Sequence, residues 1–203
     1  MEGPIGVGKT TLARKIAATY GAGLFLEQPA DNPFLERFYK EPTQYALQTQ
    51  LYFLFQRVRQ LKELRQGDLF TPIRVADFML AKDPLFARIT LDDDELYLYE
   101  QVYLQLAPEV PAPDLVIYLQ APTDVLVGRI RKRGVLFERN MERQFLEELN
   151  EAYTRHFLGY HESALLMVNA ENLNFIENEE HFELLLEQAG NITSGRHYFN
   201  PVL

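Results

Sequence analysis

The sequence contains no cysteine. Disulfide frameworks, thiolate zinc sites and thiol nucleophiles are therefore excluded, although the compartment is not fixed by this alone. No apolar run approaches the roughly 20 residues of a membrane span. Positive charge is also scarce: 20 Lys and Arg against 29 Asp and Glu give a formal net charge of −9. That balance argues against a partner that is a nucleic-acid polymer or a membrane surface. A motif already begins at Gly3, which leaves no room for a signal peptide ahead of it, and a cytoplasmic location is expected. What is present is ample apolar material, 47% of 203 residues, enough for one compact domain over 1–203.

The scarce positive charge is concentrated. Arg129, Arg131, Lys132, Arg133, Arg139 and Arg143 fall in one short segment, and only Arg155 and Arg196 follow. Such a run is either a solvated helix face or a local anion site.

Helical and strand patterns alternate along the chain. Helices are expected at Thr10–Tyr20, Pro33–Tyr39, Gln44–Arg65, Asp94–Leu106, Thr123–Arg133, Glu142–Phe157 and Glu179–Gln188. Short strands are expected at Gly23–Leu26, Ile73–Ala76, Leu115–Leu119 and Leu165–Val168. Turn signals lie at Gln66-Gly67-Asp68 and Pro111–Asp114. Leu115–Leu119 is apolar without alternation, the pattern of a strand covered on both faces. The alternation predicts a three-layer α/β/α fold with a parallel sheet and helices on both sides. The tail from Gly190 carries Tyr198 and Phe199, which should pack back on the body.

Gly3-Pro-Ile-Gly6-Val7-Gly8-Lys9-Thr10 matches the phosphate-binding pattern G-x-x-x-x-G-K-[ST], with Thr11 following and a helix pattern opening at once. The glycines let backbone N–H groups curl around phosphate oxygens, and the helix aims its positive end at them. Lys9 would reach the β- and γ-phosphates of ATP, and the Thr10 hydroxyl would bind Mg²⁺. One contextual feature is missing. This loop normally follows a central strand, and a strand takes about five residues. Only Met1 and Glu2 precede Gly3, so either the start is truncated or the middle strand is absent and the loop weakly anchored.

Two carboxylates end strands beside this loop. Asp77 closes Ile73–Ala76 and is placed to hold Mg²⁺, or else to cap a helix before Phe78. Glu27 closes Gly23–Leu26 and is the candidate general base for a hydroxyl acceptor, or else a solvated strand end. Arg129 and Arg133, spaced i, i+4, would steady the transferring group from a basic lid over about 129–143, hinged at Gly134. Gln50, Phe53 and Arg57 share a helix face, where a glutamine amide can read a base edge in a bidentate way.

With the loop, Glu27, Asp77 and the arginine helix in this order, the sequence resembles the deoxynucleoside kinase family, over roughly Gly3–Phe175. The resemblance implies that Tyr39 holds the sugar 3′-hydroxyl, that Gln50 and Arg57 read the base, and that Asp83 helps them. It also implies that Glu138 pairs with the tyrosine, that Phe86 contacts the base ring, and that the protein is a homodimer formed through long helices. Gln48 competes with Gln50 for the glutamine role. Two departures stand out. Where the family has an acid followed by arginine, this chain has Asp77-Phe78; either Lys82, Arg131 or Arg133 supplies the charge that phenylalanine lacks, or the rate is low. Where the family more often has Glu-Pro, this chain has Glu27-Gln28-Pro29.

The expected activity is transfer of the γ-phosphoryl group of ATP to the 5′-hydroxyl of a deoxynucleoside, a salvage reaction. Two rivals are a nucleoside monophosphate kinase, such as one for thymidylate, and a non-catalytic relative that keeps the fold for assembly. A monophosphate acceptor is already ionised and needs no base, which favours the nucleoside given Glu27.

Overall fold

The computed structural model describes residues 1–66, 73–107, 112–175 and 178–200. The turn expected at 66–68 and Pro111 fall largely outside them. The strands are β1 (Gly23–Phe25), β2 (Arg74–Ala76), β3 (Leu115–Gln120), β4 (Ala164–Asn169) and β5 (Arg196–Phe199). The helices are α1 (Lys9–Tyr20), α2 (Leu35–Lys40), α3 (Pro42–Gln66), α4 (Asp83–Thr90), α5 (Asp93–Leu106), α6 (Thr123–Arg133), α7 (Arg143–Gly159) and α8 (Glu179–Gly190).

All strand pairings are parallel: β1 with β2, β3 with β4, and β4 with β5. The β3–β4 pair runs in register from Leu115 opposite Ala164 to Gln120 opposite Asn169. Alternate residues of this pair face opposite layers. Ile117, Leu119, Leu166 and Val168 pack with Leu12 and Ile16 of α1, Leu126 of α6 and Leu185 of α8. Val116, Tyr118, Leu165 and Met167 pack with Leu149, Tyr153 and Phe157 of α7. Both faces are thus covered, which is why these strands carry no polar alternation. A third cluster joins α3, α4 and α5 through Leu54, Val58, Ala87 and Tyr99.

The expected weak anchoring of the glycine loop is corrected by the structure. Met1 and Glu2 occupy the position between β2 and β3. Glu2 forms a parallel bridge with Tyr118, its N–H donating to the Ile117 carbonyl at 2.8 Å and its carbonyl accepting from Leu119 N–H at 2.8 Å. On the other side, the Met1 nitrogen donates to the Ala76 carbonyl at 2.7 Å. The Glu2 side chain is fully buried and accepts from the Met79 N–H at 2.5 Å, the Tyr153 hydroxyl at 3.2 Å and the Gly3 N–H at 3.3 Å. Two residues do the work of a middle strand because both their backbone and a buried carboxylate are fully engaged.

Helix α4 has no counterpart among the expected elements. Its start, Lys82-Asp83-Pro84, reads as a break, but proline is tolerated in a first helical turn. The tail does pack back, as the parallel edge strand β5, with Phe199 against the core; Tyr198, expected to pack with it, is instead exposed, because neighbouring residues of a strand face opposite sides.

Gly3 is the tightest point of the loop. Its φ is 143°, and a Cβ there would lie 2.4 Å from the Leu119 carbonyl oxygen. Gly3→Ala is therefore expected to cost roughly 3 kcal/mol from left-handed strain and overpacking together. For a chain of this size that is a fall in Tm of about 6–12 °C, read by thermal melting.

Candidate active site

The glycine loop leads directly into α1, whose first residue is Lys9. Gly6 and Gly8 have φ of 87° and 109°, conformations that L side chains rarely adopt. No atom lies within 4 Å of a Cβ placed on Gly8, so the loop is open where phosphate oxygens would sit. Gly6 instead presses against Ile130 and the Leu126 carbonyl of α6, and Val7 is buried. The Lys9 ammonium donates to the Gly3 and Pro4 carbonyls at 2.6 and 3.0 Å. Burial, and then the nearby charge of Lys82, push its pKa down to about 8. Thr11 is exposed on the first turn of α1.

Asp77 is the hinge of the site. It is 2% exposed at the end of β2. One of its oxygens accepts from the Thr10 hydroxyl at 2.5 Å and the other from the Glu27 N–H at 2.7 Å. The carboxyl ends of β1 and β2 are thereby locked to the start of α1. A hydroxyl and a carboxylate converging at a glycine loop form the hard-oxygen donor set that suits Mg²⁺.

Glu27 follows β1 and is no solvated strand end. Its Oε1 accepts from Arg57 Nε at 2.8 Å, from Arg57 Nη2, and pairs with the Lys82 ammonium at 2.9 Å. Burial alone would raise the Glu27 pKa, but the charges of Arg57 and Lys82 outweigh it and hold the carboxyl at about 2. Arg57 Nη1 in turn forms an ion pair with Asp83 Oδ1. Arg57, Lys82 and Asp83 are all buried, so with Glu27 two cations and two anions form a neutral cluster. Lys82 entered the sequence reading as one of three possible replacements for a missing arginine. Nothing local marks a lysine as buried, and its place follows from the 3₁₀ turn Leu80–Lys82 that opens α4.

The remaining positions expected from the resemblance separate clearly. Gln50 is buried, with its amide donating to the Thr90 hydroxyl at 3.2 Å, whereas Gln48 is exposed. The Arg57 guanidinium lies 5.1 Å from the Phe53 ring centre, as their shared helix face requires. Phe86 is partly buried and meets Tyr153 edge-on at 6.2 Å. Tyr39 stacks on Phe137 at 6.0 Å. Burial, and then the charge of Glu138, raise its pKa.

The arginine helix behaves differently from its i, i+4 reading. Arg129 does not reach toward the loop opening. Its guanidinium donates to the carbonyls of Val7 at 3.2 Å and Ala170 at 2.7 Å, clamping the loop to the segment after β4. Arg133 instead crosses the left-handed Gly134 to pair with Glu138, at 2.6 Å from Nη2 to Oε1. Arg131 is exposed. The two arginines diverge because each found a different acceptor on a neighbouring segment.

A phosphate loop entering a helix, an acid at the end of one strand and a second acid at the end of the strand beside it define a P-loop phosphotransferase. A model of the family described as deoxynucleoside kinase matches residues 1–194. The chain is 33% identical to a deoxyguanosine kinase of Bacillus subtilis, over 90% of this chain and 91% of that one. It is 27% identical to a deoxyadenosine/deoxycytidine kinase of the same organism, over 95% and 91%. The fold superposes on a deoxyadenosine kinase of M. mycoides, solved with dCMP and dCDP bound, with a TM-score of 0.82 at 26% identity, covering 93% of this chain and 96% of that one. The chain belongs to the deoxynucleoside kinase family, and it is an enzyme that phosphorylates deoxynucleosides.

Proposed function

We propose that the enzyme moves the γ-phosphoryl group from ATP to the 5′-hydroxyl of a purine deoxynucleoside, deoxyguanosine foremost. The observation that carries this reading is Asp77, whose two oxygens fix the Thr10 hydroxyl and the Glu27 backbone at 2.5 and 2.7 Å. A donor site and an acceptor base are held on one carboxylate. In this reading Gly3, Gly6, Val7, Gly8, Lys9, Thr10 and Thr11 cradle the triphosphate. Thr10 and Asp77 would hold Mg²⁺, which neutralises phosphate charge when bound. Glu27 takes the proton of the attacking hydroxyl. Tyr39 and Glu138 hold the sugar. Arg133 acts from the lid with Glu138, and Arg129 acts by holding Val7 of the loop rather than by touching phosphate.

The base would lie among Gln50, Phe86, Arg57 and Asp83. Asp83 Oδ2 is buried with no hydrogen-bond partner among the described residues. A guanine edge offers that oxygen N–H donors and offers an arginine its O6 acceptor. Likeness to the deoxyguanosine kinase of Bacillus subtilis points the same way.

The test is a panel of the four deoxynucleosides and their monophosphates with ATP and Mg²⁺. Deoxyguanosine is expected to give the highest kcat/KM, by about 10-fold or more. Phosphorylation of monophosphates alone would replace this reading with the monophosphate kinase. A homodimer through α3 and α5 is supported by exposed Phe55, Tyr97, Leu98 and Leu104 on those helices, and light scattering would read twice the chain mass. Among the described residues no helix is long and apolar enough to cross a membrane.

A further inference from the structure

Lysine is almost never fully buried unless paired. Lys82 is 3% exposed, and its ammonium has one partner among the described residues, Glu27 Oε1. That oxygen already accepts two N–H groups of Arg57. Glu27 therefore does not need Lys82 to be satisfied, and an ammonium with three donors is using one of them.

The two cations on Glu27 differ in their freedom. Arg57 is held at its far end by Asp83. Among the described residues Lys82 has no second anchor on its side chain. Each cation on a carboxylate weakens it as a proton acceptor, so Glu27 is a better base with one cation than with two. Of the two, the one free to move is the unanchored Lys82.

Its destination follows from the other charges. Phosphoryl transfer spreads negative charge over three equatorial oxygens. Arg129 is engaged by carbonyls, Arg133 by Glu138, and Phe78, which directly follows Asp77, is buried in the core. Arg131 is exposed. Lys9, on the loop carbonyls, and Lys82, on Glu27, remain. They are close enough that Lys82 depresses the Lys9 pKa, second only to burial. The turn that carries Lys82 is itself fixed to the foot of the loop, through the Met79 N–H on Glu2 at 2.5 Å.

We propose that Lys82 is the second lysine of the transfer step, moving from Glu27 to the transferring phosphoryl group as the acceptor hydroxyl takes its place on the carboxylate. The 5′-oxygen then bonds to the γ-phosphorus, and its proton passes to Glu27. The bond from the γ-phosphorus to the bridging oxygen breaks, and its electron pair leaves on ADP. The inference rests on the alcohol-kinase reading above.

The test compares the parent enzyme with Lys82→Met, Lys82→Gln and Lys82→Arg in steady-state kinetics. Lys82→Met is expected to lower kcat by about 10²–10³-fold, the loss typical of one transition-state donor. The KM values for ATP and nucleoside should shift by less than about 3-fold, because the contact is made only in the transition state. Lys82→Arg should recover kcat to within about 10-fold of the parent, since it restores charge. If Lys82→Met does not fold, Lys82→Gln, which keeps a donor for Glu27 without the charge, is read in the same way. A kcat within about 3-fold of the parent, or a loss confined to KM, would make Lys82 a counter-ion of Glu27 and overturn the proposal. A parent enzyme inactive on every deoxynucleoside would instead sink the reading beneath it.

Discussion

Replacing Glu27 by glutamine is expected to lower kcat by about 10²–10⁴-fold, the range a positioned general base supplies. The amide keeps the size of the side chain and can still accept from Arg57, so geometry changes little. What is lost is the ability to take a proton. The fall should therefore appear in kcat with nucleoside as acceptor, while KM for ATP stays near the parent value, because the triphosphate is held by the loop. A neutral amide also leaves Arg57 with Asp83 as its acid and deprives buried Lys82 of its anion, so some loss of thermal stability should accompany the kinetic effect. Steady-state rates with a melt on the same samples separate the two effects. Near-full turnover in a folded Glu27→Gln protein would remove the base from the scheme.

Lys9→Met should reduce kcat/KM for ATP by roughly 10³-fold, since one preorganised cation at the transferred phosphate is lost. A pH profile gives an independent check on the parent enzyme. Lys9 titrates at about 8, lowered by burial and then by Lys82. The protonated form grips phosphate and is lost as pH rises through that value. Because kcat/KM reports the free enzyme, its value for ATP should fall about tenfold per pH unit above roughly pH 8. The limb in kcat should lie at higher pH, because bound phosphates favour the charged lysine. In Lys82→Met the kcat/KM limb should also move upward, since the second cause of the depression is gone. A flat profile from pH 7 to 10, read by coupled ADP release, would contradict the lowered pKa of Lys9.

Much of the fold was legible because local chemistry specifies it. Helix α6 runs over Thr123–Arg133 as expected, since a glycine at C′ stops it in the left-handed conformation. The buried strands β3 and β4 were visible as unbroken apolar runs and differ from expectation by one residue at their ends. The phosphate loop was visible because its parts are contiguous. Gln50 and Arg57 could be paired because seven residues make two helical turns.

Positions that depend on a distant partner were not legible in the same way. Arg129 and Arg133 share a spacing but not a target. One meets carbonyls after β4 and the other a glutamate beyond Gly134. Glu2 looked like half of a missing strand, and its worth lies in three donors from three separate segments.

The primary sequence on its own determined the nucleotide cradle, the layered α/β order and the pair of strand-end carboxylates, because each rests on neighbours in the chain and on backbone geometry. Only the folded molecule decided that Lys82 is buried against Glu27, that Asp77 joins Thr10 to Glu27, and that Arg57 is shared between two acids. Those are long-range electrostatic choices, made when charged groups leave water and must find partners across the fold.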